Sequence, residues 1–178
     1  MKFKELILAI GNDLDVYTNK RSSIFIKIIV FFTNPSFQLL ANYRISNYLK
    51  ETPFSFLNIF IRYINNWFMS SEISPYATLG KNIQFPHLNG IVIDYGSIIK
   101  DNVIIFQQIT IGAQGGTKNN EKKYPIIEEN VTIYAKASLI GAINIAKYTI
   151  IGAHSLVLAN TEENGIYVGI PAKKVSNV

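Results

Sequence analysis

Aliphatic side chains recur at every sixth position through most of the C-terminal part of the chain. A period of six is neither the 3.6-residue period of an α-helix nor simple strand alternation. It is typical of a parallel β-helix in which each repeat is a short strand and a turn. One large apolar side chain per repeat then points inward and stacks on its counterpart one coil away. The repeating residues fall into three registers: Ile73, Leu79, Phe85 and Ile91; Ile93, Ile99, Ile105 and Ile111; and Ile127, Ile133, Leu139, Ile145, Ile151 and Val157.

The fifth position of each six-residue repeat carries a second signal, because it is mostly occupied by a small or aliphatic residue. The inside of a tightly turning chain leaves little room there, and small side chains fit it. We therefore predict a parallel β-helix as one domain over residues 71–178. The fifth-position residues are Ala77, Ser97, Val103, Val131, Ala137 and Ser155.

A polar, glycine-rich and charged stretch, "GAQGGTKNNEKKYPI", interrupts the repeat between Ile111 and Ile127. A stacked coil can extrude such a loop without disturbing its neighbours, and loops of this kind are often functional. We predict an extruded loop at 113–125. Because it leaves the coil downstream of His87, we expect the loop and this histidine to border one pocket.

Residues 1–70 show helical rather than six-residue periodicity, which predicts an α-helical domain. Asn34-Pro35 and Thr52-Pro53 each pair a good N-cap with a proline at the first helical position, so we expect helices to begin there. The second of these helices is apolar almost all round, which predicts burial against other helices or another subunit. A helix lying on a membrane surface is the alternative. The predicted fold class is therefore α+β, an N-terminal helical region followed by a β-helix.

The 178-residue chain contains no cysteine, which excludes disulfides, thiolate metal ligands and a thiol nucleophile. With only His87 and His154 as imidazoles, we expect no histidine-rich centre and predict no metal cofactor. The formal net charge of +5 comes from scattered lysines and arginines, and it suits a phosphate-bearing ligand or an anionic surface. The sequence shows no nucleic-acid-binding motif, so we predict no nucleic-acid partner.

The N-terminal stretch "MKFKELILAIGNDLD" lacks the apolar core and the small-residue cleavage site of a signal peptide. The most apolar run, "IFIKIIVFF" at 24–32, contains Lys27 and is shorter than the roughly 20 residues that span a bilayer. We therefore expect a cytoplasmic protein, with peripheral contact at the inner membrane as an open alternative.

The six-residue repeat resembles that of the hexapeptide acyltransferases, and four segments resemble the serine acetyltransferase branch of that superfamily. They are "NPSFQLLANYRISNYL" (34–49), "HLNGIVIDYGSIIKDNVIIFQQITIG" (87–112), "IGAHSLVL" (151–158) and "VGIPAKKV" (168–175). Together they cover most of the chain from residue 34 onward. The resemblance implies a left-handed β-helix, acetyl-CoA as co-substrate and a homotrimer, with a dimer of trimers as a further arrangement.

Carried over by position, the resemblance implies that His87 is the catalytic base, partnered by Glu72 fifteen residues earlier. One imidazole nitrogen would donate to the carboxylate, and the other would accept the proton of an acceptor hydroxyl. Backbone N–H groups around Gly112 and Ala113 are candidates for holding the oxyanion. The resemblance also assigns cofactor-binding positions: small residues along the pantetheine arm at Ala113, Ala135 and Ala153, and lysines near the nucleotide phosphates at Lys173 and Lys174.

The chain departs from the branch at three positions around the acceptor. Pro86 replaces the serine-binding acid that directly precedes the catalytic histidine, and Lys123 and Tyr124 replace an arginine and a second histidine in the loop. Because a bound zwitterion needs a partner for each charge, these replacements argue against serine. Acetyltransferases of capsule and colanic-acid pathways resemble this chain in keeping the first histidine and losing the serine contacts. We therefore predict an O-acetyltransferase that acts on a sugar hydroxyl in bacterial surface polysaccharide biosynthesis, with a free or lipid-linked carbohydrate acceptor.

Three alternatives remain open: a serine O-acetyltransferase of cysteine biosynthesis with a rearranged pocket, an N-acetyltransferase for an amino sugar, and a non-catalytic β-helix protein. Other polar residues lie near the expected site. One of the neighbours Gln107 and Gln108, one coil after His87, is expected to face it. His154 is expected to be exposed and incidental at a coil corner.

Overall fold

The computed structural model describes residues 2–18, 21–115 and 123–178, which form an N-terminal group of helices and a C-terminal coil of short strands. The predicted fold class, a helical region followed by a left-handed parallel β-helix, is confirmed. The helices are α1 (Phe3–Tyr17), α2 (Ile24–Thr33), α3 (Pro35–Leu49), a short 3₁₀ turn (Ser55–Leu57) and α4 (Asn58–Met69).

One of the two proline-marked helix starts is confirmed and the other is wrong. α3 begins at Pro35, and the Asn34 side chain caps it by accepting a hydrogen bond of 2.9 Å from an amide of the first turn. The Thr52-Pro53 pair instead lies in a turn. There the Thr52 hydroxyl donates to the last carbonyl of α3 at 2.9 Å, so it closes one helix rather than opening the next. The following α-helix begins only at Asn58.

The strands form three sheets around a common core, and successive coils of the chain add short strands to them. The first sheet contains β1 (Glu72–Ile73), β3 (Val92–Ile93), β6 (Thr110–Gly112), β9 (Ser138–Ile140) and β12 (Leu156–Val157). The second contains β2 (Thr78–Leu79), β4 (Ile98–Ile99), β7 (Ile126–Ile127) and β10 (Asn144–Ile145). The third contains β5 (Ile104–Ile105), β8 (Thr132–Ile133), β11 (Ile150–Ile151), β13 (Gly165–Gly169) and β14 (Ala172–Asn177). The described pairings are parallel, except that β13 and β14 form an antiparallel hairpin at the end of the coil.

The aliphatic residues of the repeat stack on one another across coils, as predicted. In the first sheet Ile93 pairs with Ile111, and Ile111 pairs with Leu139. The first step takes eighteen residues and the second takes twenty-eight, so the second step contains ten more residues. Every residue of the three predicted registers is buried, with at most 6% of its surface exposed. The six-residue period in the sequence therefore marks the side chains that pack in the core.

Three corners join the faces of the coil, and we name them by the sheets that they connect. The first corner leads from the first sheet to the second, the second corner from the second to the third, and the third corner from the third back to the first. At the second corner Asn82, Asn102 and Asn130 turn the chain with φ between 54° and 60°, a left-handed conformation that asparagine tolerates. The additional residues after Ile111 lie between β6 and β7, where the first corner falls. His87 lies at the third corner, where two extra residues lengthen the first coil.

Side chains of α3 cover the open edge of the first coil. The Tyr43 hydroxyl donates to the Ala77 carbonyl at 2.8 Å and accepts from the Leu79 amide at 3.1 Å. The Arg44 guanidinium donates to the carbonyls of Leu79 and Gly80 at 2.7 and 2.6 Å. No earlier coil precedes this one to pair with these backbone groups, so the helical region satisfies them instead.

Helices α2 and α4 expose most of their apolar side chains. No residue of α2 is buried, and Trp67 and Phe68 of α4 are 84% and 76% exposed. The predicted burial of α4 against other helices is therefore wrong within one chain, whereas its burial by another subunit and its contact with a membrane stay predictions. In the described part of the chain no single helix is long and apolar enough to span a membrane. Helices α2 and α3 meet those limits only together, as a pair bent by 83°.

Candidate active site

His87 stands on the loop at the third corner, where the chain passes from the first coil to the second. The residue is exposed, and its ring centroid lies 6.2 Å from that of Phe106, one coil further along. Phe106 in turn stacks on Tyr134 of the next coil, with the centroids 5.0 Å apart. The imidazole therefore stands at the head of an aromatic column and remains accessible to a ligand.

The backbone on both sides of His87 is held by hydrogen bonds to other elements. Upstream, the Phe85 amide donates to the Tyr17 hydroxyl of α1 at 3.0 Å. Downstream, the Gly90 amide donates at 2.7 Å to the carbonyl of Ser70, the residue that ends α4. These contacts fix the backbone of the histidine loop relative to the coil, and a general base requires a fixed position.

Gln107, Ala135 and Ala153 lie on the same corner as His87, each two residues after a buried anchor of the third sheet. Backbone hydrogen bonds of 2.9 and 3.0 Å link this column from coil to coil. The structure thus brings two of the predicted pantetheine-wall residues, Ala135 and Ala153, onto the corner that carries His87, the predicted base. Their small side chains leave the edge of the coil open, so a thin extended ligand can approach the backbone there.

The two neighbouring glutamines take different positions. Gln107 belongs to the His87 column, and its buried side-chain Oε1 has no hydrogen-bond partner among the described residues. Gln108 has φ of 57°, and its side chain packs beside Gly90 of the histidine loop. Both glutamines lie on this corner, and Gln107 is the one at the position of His87 in the repeat, a choice that the periodicity alone left open.

Glu72 lies on β1, and its carboxylate is paired with a cation from α4. The distance from Arg62 Nε to Glu72 Oε1 is 3.1 Å. Across the residues that the structure describes, no hydrogen bond joins Glu72 to His87. The sequence analysis missed Arg62 as the partner of this carboxylate, and its only signal was a cation in an otherwise apolar helix. The role of Glu72 as the partner of the base stays a prediction.

The loop residues Lys123 and Tyr124 lie at the first corner, together with Gly112 and Ala113. The first sheet separates this corner from His87. The expectation that the loop and the histidine border one pocket is therefore wrong for a single chain. The reason is that the loop leaves after an anchor of the first sheet, whereas the histidine loop follows an anchor of the third sheet.

Tyr124 lies just before β7; residues 116–122 of the predicted loop are outside the described residues. Its ring lies against Gly96, and its centroid is 6.2 Å from that of Tyr95. Tyr95 stacks on Tyr76 of the preceding coil at 4.7 Å. The first corner therefore carries a column of tyrosines, which the sequence analysis missed because these residues follow no fixed spacing.

The two C-terminal lysines lie next to each other on β14. Lys174 Nζ donates to Glu162 Oε2 at 2.7 Å, and this hydrogen bond holds the pKa of the Glu162 carboxyl below its ordinary value. Lys173 is exposed, and because neighbouring side chains of a strand point to opposite faces, the two lysines do not form one cationic surface. Their contact with nucleotide phosphates stays a prediction.

Two further residues of the third corner, Pro86 and His154, are exposed. Pro86 is exposed beside His87 and offers a ligand neither a charge nor an N–H group. His154 is exposed with φ of 59°, which confirms the expectation of an exposed corner residue. Among residues 2–18, 21–115 and 123–178, no group of three or more histidines and carboxylates could hold a metal ion. The corner thus presents the His87 imidazole beside Phe106, with Ala135 and Ala153 on later coils of the same corner.

Comparison with known proteins finds serine acetyltransferases. The protein from Buchnera aphidicola subsp. Schizaphis graminum is 35% identical over 142 residues, which are 80% of this chain and 54% of that protein. The protein from Bacillus pumilus is 31% identical over 163 residues, 92% of this chain and 74% of that protein. A solved serine acetyltransferase in complex with CoA is 27% identical, with a TM-score of 0.82 over 97% of this chain and 70% of the other. No protein-family model matches the chain.

The chain spans about half the length of the first curated relatives that it matches, 54% of the Buchnera protein. The predicted likeness to polysaccharide O-acetyltransferases is wrong, because the relatives and the solved structures are serine acetyltransferases. The prediction of a sugar acceptor in surface polysaccharide biosynthesis falls with it. It rested on Pro86, Lys123 and Tyr124, three local replacements, whereas the similarity extends over helices and coil alike.

Proposed function

The chain belongs to the serine acetyltransferase family, and we propose that it transfers the acetyl group of acetyl-CoA to the hydroxyl of serine, with His87 as the general base. The observation that carries the proposal is the position of His87, exposed on a fixed backbone above Ala135 and Ala153. An imidazole so placed can reach a hydroxyl, and the small residues allow a thioester to lie along the same corner.

His87 accepts the proton of the serine hydroxyl while the hydroxyl oxygen attacks the acetyl carbonyl of the thioester. The new C–O bond pushes the carbonyl electron pair onto oxygen and forms a tetrahedral oxyanion. Backbone N–H groups at Gly112 and Ala113 are the proposed donors to that oxyanion. When the carbonyl forms again, the C–S bond breaks and His87 returns the proton to the departing sulfur. We retain Glu72 in this proposal as the group that orients the imidazole.

The proposed site needs two chains, because Gly112 and Ala113 lie at the first corner and His87 lies at the third. A coil of triangular section has flat faces that can pack around a three-fold axis. Such packing can bring the first corner of one chain against the third corner of the next. A homotrimer is therefore part of the proposal, with Lys123 and Tyr124 of one chain beside the histidine of its neighbour.

The exposed apolar faces of α2 and α4 need a cover in water. We propose that a second trimer provides it, and contact with the inner membrane is the alternative. Light scattering after size exclusion separates three chains from six. Flotation with anionic phospholipid vesicles would instead support the membrane, and the expected cytoplasmic location stays a prediction.

A CoA-release assay with acetyl-CoA and L-serine tests the proposed function. We expect saturable release that is lost in a folded His87→Ala protein, and no comparable release with a panel of free sugars. Absence of release with L-serine would reject the proposal. If the protein were a non-catalytic β-helix, acetyl-CoA would also fail to raise its melting temperature, because a ligand of the folded state stabilises that state.

A further inference from the structure

The proposed acceptor carries two opposite charges, and the residue before the base matches neither of them. Pro86 has no charge, and an ammonium group bound without an acid partner is costly. If serine is the acceptor, an acid elsewhere in the site has to hold its ammonium group. The inference that follows therefore rests on the proposed function.

Asp94 is an acid at the first corner, directly after β3, and it lies above Gly112 of the next coil. A Cβ atom at Gly112 would lie 3.3 Å from the Asp94 Cβ and 3.5 Å from Oδ2. Glycine at this position therefore keeps the space beside the carboxylate open. Gly112 is also one of the residues proposed to hold the oxyanion, so the carboxylate borders the reacting group.

The two oxygens of the Asp94 carboxylate differ in what they contact. Oδ1 accepts from the Tyr95 amide at 2.7 Å, a local bond that orients the side chain. Oδ2 has no hydrogen bond within the part of the chain that the structure describes. Asp94 is half-buried, so one oxygen is held by the turn and the other is available to a ligand at a defined place.

A cation lies at the same corner. Lys123 is exposed and immediately precedes Tyr124, at the point where the loop rejoins the coil. The ring of Tyr124 lies 6.2 Å from that of Tyr95, the residue that follows the acid. The pair of tyrosines thus connects the acid and the cation, and the corner offers both charges that a zwitterion needs.

We propose that Asp94 binds the ammonium group of serine and that Lys123 binds its carboxylate. The first corner of one chain then presents the serine hydroxyl to His87 of the neighbouring chain. Asp94 thus takes the place of the acid that is absent at position 86, and it contacts the acceptor from the neighbouring chain. It acts as a specificity-determining residue.

The first experiment compares two matched substitutions of aspartate. Asp94→Asn removes the charge and keeps an oxygen for the Tyr95 amide. We expect the KM for L-serine to rise about 10- to 100-fold, the range for loss of a charged hydrogen bond, with the KM for acetyl-CoA unchanged. Asp101→Asn is the control, because Asp101 Oδ1 likewise accepts from a backbone amide, that of Lys81 at 2.8 Å, but at the second corner. The control should leave both KM values unchanged.

The second experiment removes one charge from the acceptor at a time. 3-Hydroxypropionate lacks the ammonium group of serine, and ethanolamine lacks its carboxylate. The wild-type protein should prefer serine to both by kcat/KM. Asp94→Asn should abolish the preference over 3-hydroxypropionate alone, and Lys123→Met should abolish the preference over ethanolamine alone.

The outcomes separate this inference from the proposed function. If the wild-type protein acetylates serine and Asp94→Asn keeps the wild-type KM, or loses activity equally with serine and 3-hydroxypropionate, Asp94 does not bind the ammonium group. If the wild-type protein does not acetylate serine, the proposed function fails and the inference falls with it. Asp94→Ser, which also keeps an oxygen acceptor for the turn, gives the same comparison if the asparagine variant melts below the assay temperature.

Discussion

His87 and Tyr124 stand at different corners of the same β-helix, with the first sheet between them. The imidazole lies beside Phe106 and the phenol ring lies beside Tyr95. Two corners of a rigid triangular coil cannot approach each other, so side chains on them share a site only when a second chain joins them. The arrangement of these two residues is therefore the structural reason for proposing that catalysis needs an oligomer.

Mixed oligomers test this arrangement directly. His87→Ala chains retain an intact first corner, and Lys123→Ala chains retain an intact third corner. We expect each variant alone to have little activity with L-serine, and co-refolded mixtures to regain part of it, because some interfaces combine the two intact corners. The measurement is CoA release before and after mixing. Mixtures no more active than the separate variants would show that one chain contains the whole site.

Replacement of the proposed base has a matched control, because the chain has only two histidines. We expect His87→Gln to lower kcat about 10²- to 10⁴-fold, the usual range for loss of a general base, without changing the melting temperature. His154→Gln should keep wild-type kcat, because His154 is exposed at a later coil of the same corner. Equal activity of the two variants would remove His87 from the mechanism.

Tyr17 provides a test of how the histidine loop is held. Burial raises the pKa of Tyr17 to about 12, so its hydroxyl stays neutral and accepts from the Phe85 amide at any assay pH. Tyr17→Phe keeps the ring and removes this bond, and we expect a loss of about 1 kcal/mol in unfolding free energy together with a several-fold lower kcat. Tyr43→Phe removes hydrogen bonds to the same coil far from the base, so stability should fall while kcat stays unchanged. Equal kcat in the two variants would limit Tyr17 to a structural role.

The buried ion pair between Asp13 and Arg44 joins α1 to α3. The two residues are 1% and 8% exposed, and Arg44 Nε lies 2.8 Å from Asp13 Oδ2. We expect Asp13→Ala to lower the unfolding free energy by about 3–5 kcal/mol, because it leaves a buried guanidinium without its counterion. Asp15, also in α1, forms a more exposed ion pair with Lys27 of α2. We expect Asp15→Ala to lower the unfolding free energy by about 1 kcal/mol or less. Urea denaturation of both variants measures the difference, and equal losses would contradict it.

Two glycine-to-alanine substitutions should have different effects, one raising the stability of the protein and the other lowering its activity. Gly11 lies inside α1, and an added Cβ would meet nothing within 4 Å, so Gly11→Ala should stabilise the protein by about 1 kcal/mol. A Cβ at Gly96 would overlap the ring of Tyr124, so Gly96→Ala must displace that ring and should lower activity with serine. Thermal melts and CoA release test the pair. A fully active Gly96→Ala protein would show that the ring position is unimportant.

The inward-facing residues of the coil were predictable because each short strand places one anchor in the core, and that placement depends on local spacing alone. The predicted helix start at Thr52 was wrong because its hydroxyl donates to a carbonyl at the end of the preceding helix. A local sequence pattern does not show which of the two helices such a hydroxyl will cap. The predicted burial of α4 against other helices was wrong within one chain. An apolar sequence pattern indicates that a surface is buried, but it does not show whether the same chain, a second chain or a membrane covers it.

The candidate site was predictable only in part. His87 and the small residues Ala135 and Ala153 share a corner because their spacing from the anchors is equal. The prediction of a sugar acceptor was wrong because it rested on local replacements such as Pro86, whereas the similarity to serine acetyltransferases extends over most of the chain. Asp94 follows His87 by only seven residues, but β3 lies between them and places the two at different corners, which the motif alone does not show.

The sequence by itself determined the coil, its buried ladder and the position of its interruption, because these follow from residues six positions apart. Only the tertiary structure decided which corner each functional side chain occupies. That choice depends on the accumulated length of all preceding turns, including the two residues added beside His87 and the ten additional residues after Ile111. It also decided which distant residues become neighbours, such as Tyr95 and Tyr124, because these meet only when coils stack.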